Sequence, residues 1–254
     1  MIINSFDNKS EAIINPKFNE GAYKLDACIL TFSNDIEKFV LNNYKCKKIG
    51  KIKDAADTRF IYCIDYKGKK IGFFKTYVGA PSCVGSIETS FSQIKTNKFI
   101  LFGGAGCLNK EIAHGKVMVP TEAYRDEGTS YHYAKASDYI KIKNVETVSD
   151  FMRMNNIPYV EGKTWTTDAF YRETLGNFEK RKADGCISVE MECSAVQAMC
   201  DFRNLELYVF FTSGDLLDSP KWDRRHEIGE LEGTQHDPTH FDIAIELANY
   251  VSEF

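Results

Sequence analysis

The stretch Val189-Glu190-Met191-Glu192-Cys193-Ser194-Ala195, with Leu207-Tyr208-Val209-Phe210-Phe211 and Thr212-Ser213-Gly214-Asp215 following it, decides how this chain is read. Two carboxylates and a methionine stand at the expected start of a helix, and a third carboxylate stands just past a strand end. The strand 207–211 is apolar at every position, as parallel strands buried on both faces are. Ligands of open α/β sheets bind at the carboxyl ends of such strands, which makes Asp215 a site candidate by position alone. A helix-start carboxylate also serves as a plain dipole partner, so no single one of these residues carries the argument.

Short apolar runs alternate with helical ones on both sides of this segment. Residues 27–32 predict a buried strand, and 35–41 a helix with Ile36, Phe39 and Val40 on its apolar face. Strands at 59–65 and 71–77 flank the turn Tyr66-Lys67-Gly68-Lys69 and predict a hairpin. A helix over 82–94 has Pro81 near its start. A buried strand over 98–102 runs into Gly103-Gly104-Ala105-Gly106, and 116–120, 122–125 and 161–167 read as extended. Helices are expected over 145–155, 186–202 and 241–251. This order predicts an α/β fold: a single-domain three-layer αβα sandwich with a central mixed, mainly parallel sheet. One domain is expected over 1–254, with 1–24 as an N-terminal extension.

Composition narrows the function. The chain has 254 residues, 43% of them hydrophobic, and a formal net charge of −4 with its Lys and Arg scattered. That balance leaves no electrostatic footprint for nucleic acid or an acidic membrane and favours a small-molecule partner. Cys28, Cys63, Cys107, Cys186, Cys193 and Cys200 lie in or beside apolar runs without any CxxC pair, the pattern of buried thiols in a reducing cytoplasm. No targeting or membrane-spanning segment is recognisable. His226, His236 and His240 cluster near the end, but Pro238 breaks the helix that would align them, so no metal is expected. The glycine run lacks the GxGxxG spacing, since Asn109 stands where a third glycine is needed; it either cradles an anion on backbone N–H groups or packs tightly beneath a neighbour.

Several motifs in order resemble the nucleoside phosphorylase and nucleosidase superfamily. They are Gly79-Ala80-Pro81-Ser82, the segment from Phe102 through Gly103-Gly104-Ala105-Gly106 to Leu108, His114-Gly115-Lys116 with Val117-Met118-Val119-Pro120, and Arg125-Asp126-Glu127-Gly128 leading to Tyr133. Thr166-Thr167-Asp168-Ala169-Phe170-Tyr171, Val189-Glu190-Met191-Glu192 and Ser213-Gly214-Asp215 complete the series. The likeness covers about residues 25 to 250.

What the resemblance implies is cleavage of the N-glycosidic bond of a nucleoside, usually with phosphate as co-substrate and no other cofactor. Glu192 matches the carboxylate that accepts from the ribose hydroxyls, a task suited to its two acceptor oxygens. Met191 matches the residue packed on the sugar, and Phe170 the aromatic stacked on the base. Asp215 resembles the acid that protonates a purine leaving group, with Asp218 as the alternative because Gly214 separates Ser213 from Asp215. Gly103 and Gly104 fall at the phosphate site, where Leu101 and Gly104 replace the usual Arg and Thr or Ser, and where Phe32 and Ile36 replace a Gly-x-x-x-Arg. Arg59, matching an arginine lent by a neighbouring subunit, and Arg125 are the remaining cation candidates.

Phosphorolysis of a purine-type ribonucleoside is therefore expected, in a homo-oligomer with shared sites. Three alternatives stay open. One is hydrolysis, with Glu37 near the position of a water-activating glutamate. Another is uridine cleavage, suggested by 125–133 and His132 but opposed by Thr174 and Gly176 at the uracil-reading positions. The last is a nucleoside-binding protein without catalysis.

Overall fold

The computed structural model describes residues 1–55, 57–219, 223 and 240–254. His226, His236 and Pro238 lie outside the described residues. The chain begins with β1 (Tyr23–Lys24), β2 (Ala27–Thr31), α1 (Asn34–Asn43), β3 (Cys46–Lys53), β4 (Thr58–Tyr66), β5 (Lys69–Lys75), α2 (Ala80–Ser90) and β6 (Ile94–Lys95). There follow β7 (Lys98–Cys107), α3 (Lys110–Ala113), β8 (Val117–Asp126), α4 (Ser130–Tyr133), β9 (Tyr139–Lys141), α5 (Val145–Met154) and β10 (Tyr159–Thr167). The last elements are α6 (Leu175–Ala183), β11 (Cys186–Glu190), α7 (Cys193–Arg203), β12 (Glu206–Leu216) and α8 (His240–Val251).

β2, β7 and β12 form where the apolar runs predict strands, and each such run is buried from both sides. In β2 the side chains alternate between two cores: Cys28 and Leu30 pack with α2 and α7 residues, Ala27 and Ile29 with α1, α5 and α8 residues. Helices on both faces of a mixed central sheet are thus the architecture, in agreement with the expected αβα layering.

The sheet order is β11-β10-β8-β12-β7-β2-β5-β4-β3, with β9 on β8. The pairs β2/β5, β2/β7, β7/β12, β8/β10 and β10/β11 are parallel. One feature is not readable from alternation: β11 also pairs antiparallel with β7 through Ser188↔Cys107 and Val189↔Gly106. Strands β7, β12, β8, β10 and β11 therefore close on one another, while β2, β5, β4 and β3 extend from the closed part.

Three expectations are corrected. Residues 186–190 are not helical; they form β11, buried at all five positions, because so short a segment does not show enough of a period to separate strand from helix. The helix starts only at Cys193. The glycine run is not a loop, since β7 continues through Gly103-Gly104-Ala105-Gly106 and stays paired on β12. Tyr62, expected on the surface of the hairpin with Phe60, is 6% exposed and stacked on Phe73, whereas Phe60 is 36% exposed. The hairpin turn itself forms as expected, with Lys67 (φ 49) and Gly68 (φ 83) both in the left-handed region that such two-residue turns require.

Candidate active site

The ends of β2, β7, β11 and β12 meet at a cleft of about 960 Å³. Thr31, Phe32, Ser33 and Ile36 line it from the β2–α1 junction, Gly103 to Gly106 from β7, Val189 to Glu192 from the β11–α7 junction, and Asp215 from β12. Val78, Phe170, Tyr171, Glu173, Leu175, Phe178 and Leu217 complete the lining. Gly103, Gly104, Phe170, Met191, Glu192 and Asp215, spread over more than 110 positions, are thereby brought to one cavity.

Local chemistry fixes the two glutamates differently. Glu190, the last residue of β11, accepts at Oε2 from the amides of Glu192 (2.7 Å) and Cys193 (2.7 Å), and at Oε1 from Thr166 Oγ1 (2.5 Å). It satisfies the free amides at the start of α7, which a carboxylate at the positive end of a helix does well. Glu192 is also buried, and its Oε1 accepts from the Gly79 amide at 2.5 Å. Gly79 has φ +103, a conformation that L side chains rarely adopt, and this is the structural reason for a glycine at the head of α2. Burial and the adjoining Glu190 charge push the Glu192 carboxyl up to about 8. Burial likewise raises Glu190, against the hydrogen bonds from Thr166 and the two amides.

Asp215 reaches the cleft through an irregularity. Pairing of β12 with β7 steps from Ser213↔Ala105 to Leu216↔Cys107, three residues against two, so the strand bulges at Gly214 and Asp215. Bulges re-aim a side chain in this way. Asp218, the alternative acid, is not among the lining residues: it accepts from Lys182 Nζ (2.9 Å) and the Lys110 amide (3.0 Å), and the Lys182 hydrogen bond lowers its carboxyl.

The expected cation and base candidates lie elsewhere. Arg59 is buried, donates to Ser86 Oγ at 3.0 Å, pairs with Asp54 and stacks on Tyr77. Arg125 is buried, donating to Ser130 Oγ (2.8 Å) and the Lys135 carbonyl (2.6 Å) while stacking on Tyr131. Glu37 sits 3.6 Å from Lys75 Nζ on α1. None of the three lines the cleft, and among the described residues that do, none is Lys, Arg or His. The start of α1 borders the cleft, but Ser33 Oγ already accepts from the amides of Asp35 and Ile36. Thr174 and Gly176 are exposed and outside the lining, as is His132.

Glu173 is the lining residue that sequence reasoning missed. It follows the 3-10 turn Phe170–Arg172, and burial together with the Asp215 charge pushes its carboxyl up to about 7. Its only sequence signal was a carboxylate three positions after the stacking aromatic. Among the described residues no cluster of three or more metal-ligating side chains occurs, and no helix is long and apolar enough to cross a membrane. All eight cysteines are free.

The phosphorylase superfamily profile matches residues 27–237. The chain belongs to the phosphorylase superfamily and is an enzyme of the nucleoside phosphorylase type. It is 24% identical over 183 residues to "Purine nucleoside phosphorylase DeoD-type 2" of Aliivibrio fischeri, covering 70% of this chain and 76% of that protein. It is 25% identical over 176 residues to the protein of the same name from Vibrio cholerae, covering 67% and 75%. A Photobacterium profundum protein of that name is 21% identical over 205 residues, covering 76% and 84%.

Proposed function

We propose that the chain cleaves the N-glycosidic bond of a purine-type ribonucleoside, with phosphate as the nucleophile. The observation that carries this reading is the gathering of Glu192, Met191, Phe170 and Asp215 around one cleft. In it Glu192 accepts from the ribose hydroxyls, and Met191 packs on the sugar. Phe170, half of whose surface is exposed, offers a ring face to the base. Asp215 supplies the proton that lets the base leave neutral. Phosphate rests against Gly103 and Gly104 and takes its cation from a second copy of the chain, with Arg59 as donor. The names of the Aliivibrio and Vibrio relatives support the purine and phosphate parts.

Hydrolysis is the second reading, favoured by the want of any Lys, Arg or His among the described lining residues. A dianion without charge-assisted donors forfeits roughly half the strength of each contact. Glu37, paired with Lys75, stands away from the cleft, so this reading is carried by the missing cations and not by Glu37.

Base release from a panel of purine and pyrimidine nucleosides, with and without phosphate, tests both. Phosphate-dependent release with ribose 1-phosphate as co-product supports phosphorolysis. Equal release with free ribose moves the conclusion to hydrolysis. No release from any nucleoside removes the catalytic reading and leaves binding alone.

A further inference from the structure

We propose that Glu173 reads the edge of the base, accepting a hydrogen bond from an exocyclic amino group so that the cleft selects 6-aminopurines over 6-oxopurines. This rests on the nucleoside-cleaving reading above and adds to it a specificity residue and a substrate class.

Glu173 lines the same cavity as Phe170, Tyr171 and Asp215. Its carboxyl is half-buried and receives no hydrogen bond from any other described residue. The described lining also offers it no Lys, Arg or His. A carboxylate withdrawn from water without donors is costly, and an ionised carboxylate can only accept. The complementary ligand is one that brings N–H groups to this place.

Asp215 narrows the choice. It lines the same cavity as Glu173 and is near enough for its charge to act there. In the reading above Asp215 gives its proton to N7, and Glu173 on the same cavity wall offers acceptor oxygens. A 6-aminopurine shows the matching edge, an N7 acceptor next to N6 hydrogens. A 6-oxopurine shows two acceptors, N7 and O6. Its O6 would face an ionised oxygen, and a polar edge left unpaired in this way discriminates strongly. The position of Glu173 suits the task, because the turn that presents Phe170 to the cleft ends one residue before it.

The test compares kcat/KM for adenosine and inosine in the wild-type enzyme and in Glu173→Gln, together with calorimetric Kd values for adenine and hypoxanthine. The wild type is expected to favour the amino compound by about tenfold or more in both measurements, and Glu173→Gln, whose amide donates to O6, to lose that preference or invert it. Equal wild-type handling of the two bases overturns the proposal, as does a preference that survives in Glu173→Gln. If the wild type releases no base from any nucleoside, the catalytic reading fails and the calorimetric arm decides. A preference for adenine that Glu173→Gln abolishes then upholds the role of Glu173, and equal or absent binding of the two bases refutes it.

Discussion

Glu192 is buried next to a second buried carboxylate, and backbone hydrogen bonds from Gly79 and Met191 only partly offset the burial and the Glu190 charge. In the proposed reading, ribose hydroxyls would donate to the same carboxylate. If that is its work, Glu192→Gln lowers kcat/KM for a ribonucleoside by about 10²-fold or more, and for the 2′-deoxynucleoside by less. Equal losses on both substrates, in steady-state assays, would show that the 2′ hydroxyl is not its partner. The same residue predicts a pH effect on stability. Glu190 and Glu192 rise from the ordinary glutamate value of 4.5 to about 7 and about 8 when folded. Between those limits the folded chain holds more protons than the unfolded chain, so stability is highest at the acid end and falls as pH rises through about 8. A melting series from about pH 5.5 to about pH 8.5 should show a shallower fall in Glu192→Gln than in the wild type. Parallel curves would mean that Glu192 contributes nothing to it.

The β7 strand and the β11–α7 junction place these residues. Gly106 lies where β7, β11 and the end of β12 crowd together: a Cβ there would stand 2.8 Å from Val189 Cγ1, 2.6 Å from Leu217 Cδ1 and 3.3 Å from Asp215 Oδ1. Leu217 can swing away, but Val189 is β-branched, held in a strand and 5% exposed. Gly106→Ala should therefore destabilise the fold by about 1–3 kcal/mol, as overpacking does. At Gly103 the nearest contact is the Phe32 ring at 3.3 Å, so Gly103→Ala is the milder comparison. Urea unfolding of both variants checks the order, and a Gly106→Ala protein as stable as the wild type would contradict the packing argument.

The molecule as a whole presents an acidic cleft whose mouth is apolar: Val78, Phe170, Tyr171 and Leu175 are 58%, 50%, 83% and 74% exposed. Four carboxylates, Glu173, Glu190, Glu192 and Asp215, line the cleft without a Lys, Arg or His among the described lining residues. A phosphate-using enzyme of this kind needs a cation that the described lining residues do not supply, and a second copy of the chain is one source of it. We therefore expect a homo-oligomer, at least a dimer, by sedimentation velocity. Arg59 is the arginine assigned to this role, although Asp54 holds it within its own chain. Arg59→Ala should weaken the response of rate to phosphate while leaving nucleoside Kd nearly unchanged. A monomer with full activity, or an unaltered phosphate response, would leave Arg59 a purely structural pairing and favour water as the nucleophile.

Much of this was legible in residue order. Apolar runs at 27–32, 98–102 and 207–211 are too evenly hydrophobic for a surface strand, so a buried sheet layered by helices follows from burial alone. The run of motifs ending in Glu190-Met191-Glu192 and Ser213-Gly214-Asp215 carries the family. Three matters lay beyond that reading because each depends on residues far apart in the chain. Closure of the sheet depends on β11 meeting β7, the strand character of 186–190 on pairing with β10, and the extended path of the glycines on pairing with β12. The different surroundings of Glu190 and Glu192 depend on Thr166 lying beside the first and the Gly79 amide beside the second. The nearness of Glu173 to Asp215 depends on the turn at Phe170–Arg172 and the end of β12 meeting at one cavity. Local sequence sets propensity and burial pattern, and those are sums over neighbours along the chain. Which donors each carboxylate meets is a property of through-space contacts that only the folded chain creates.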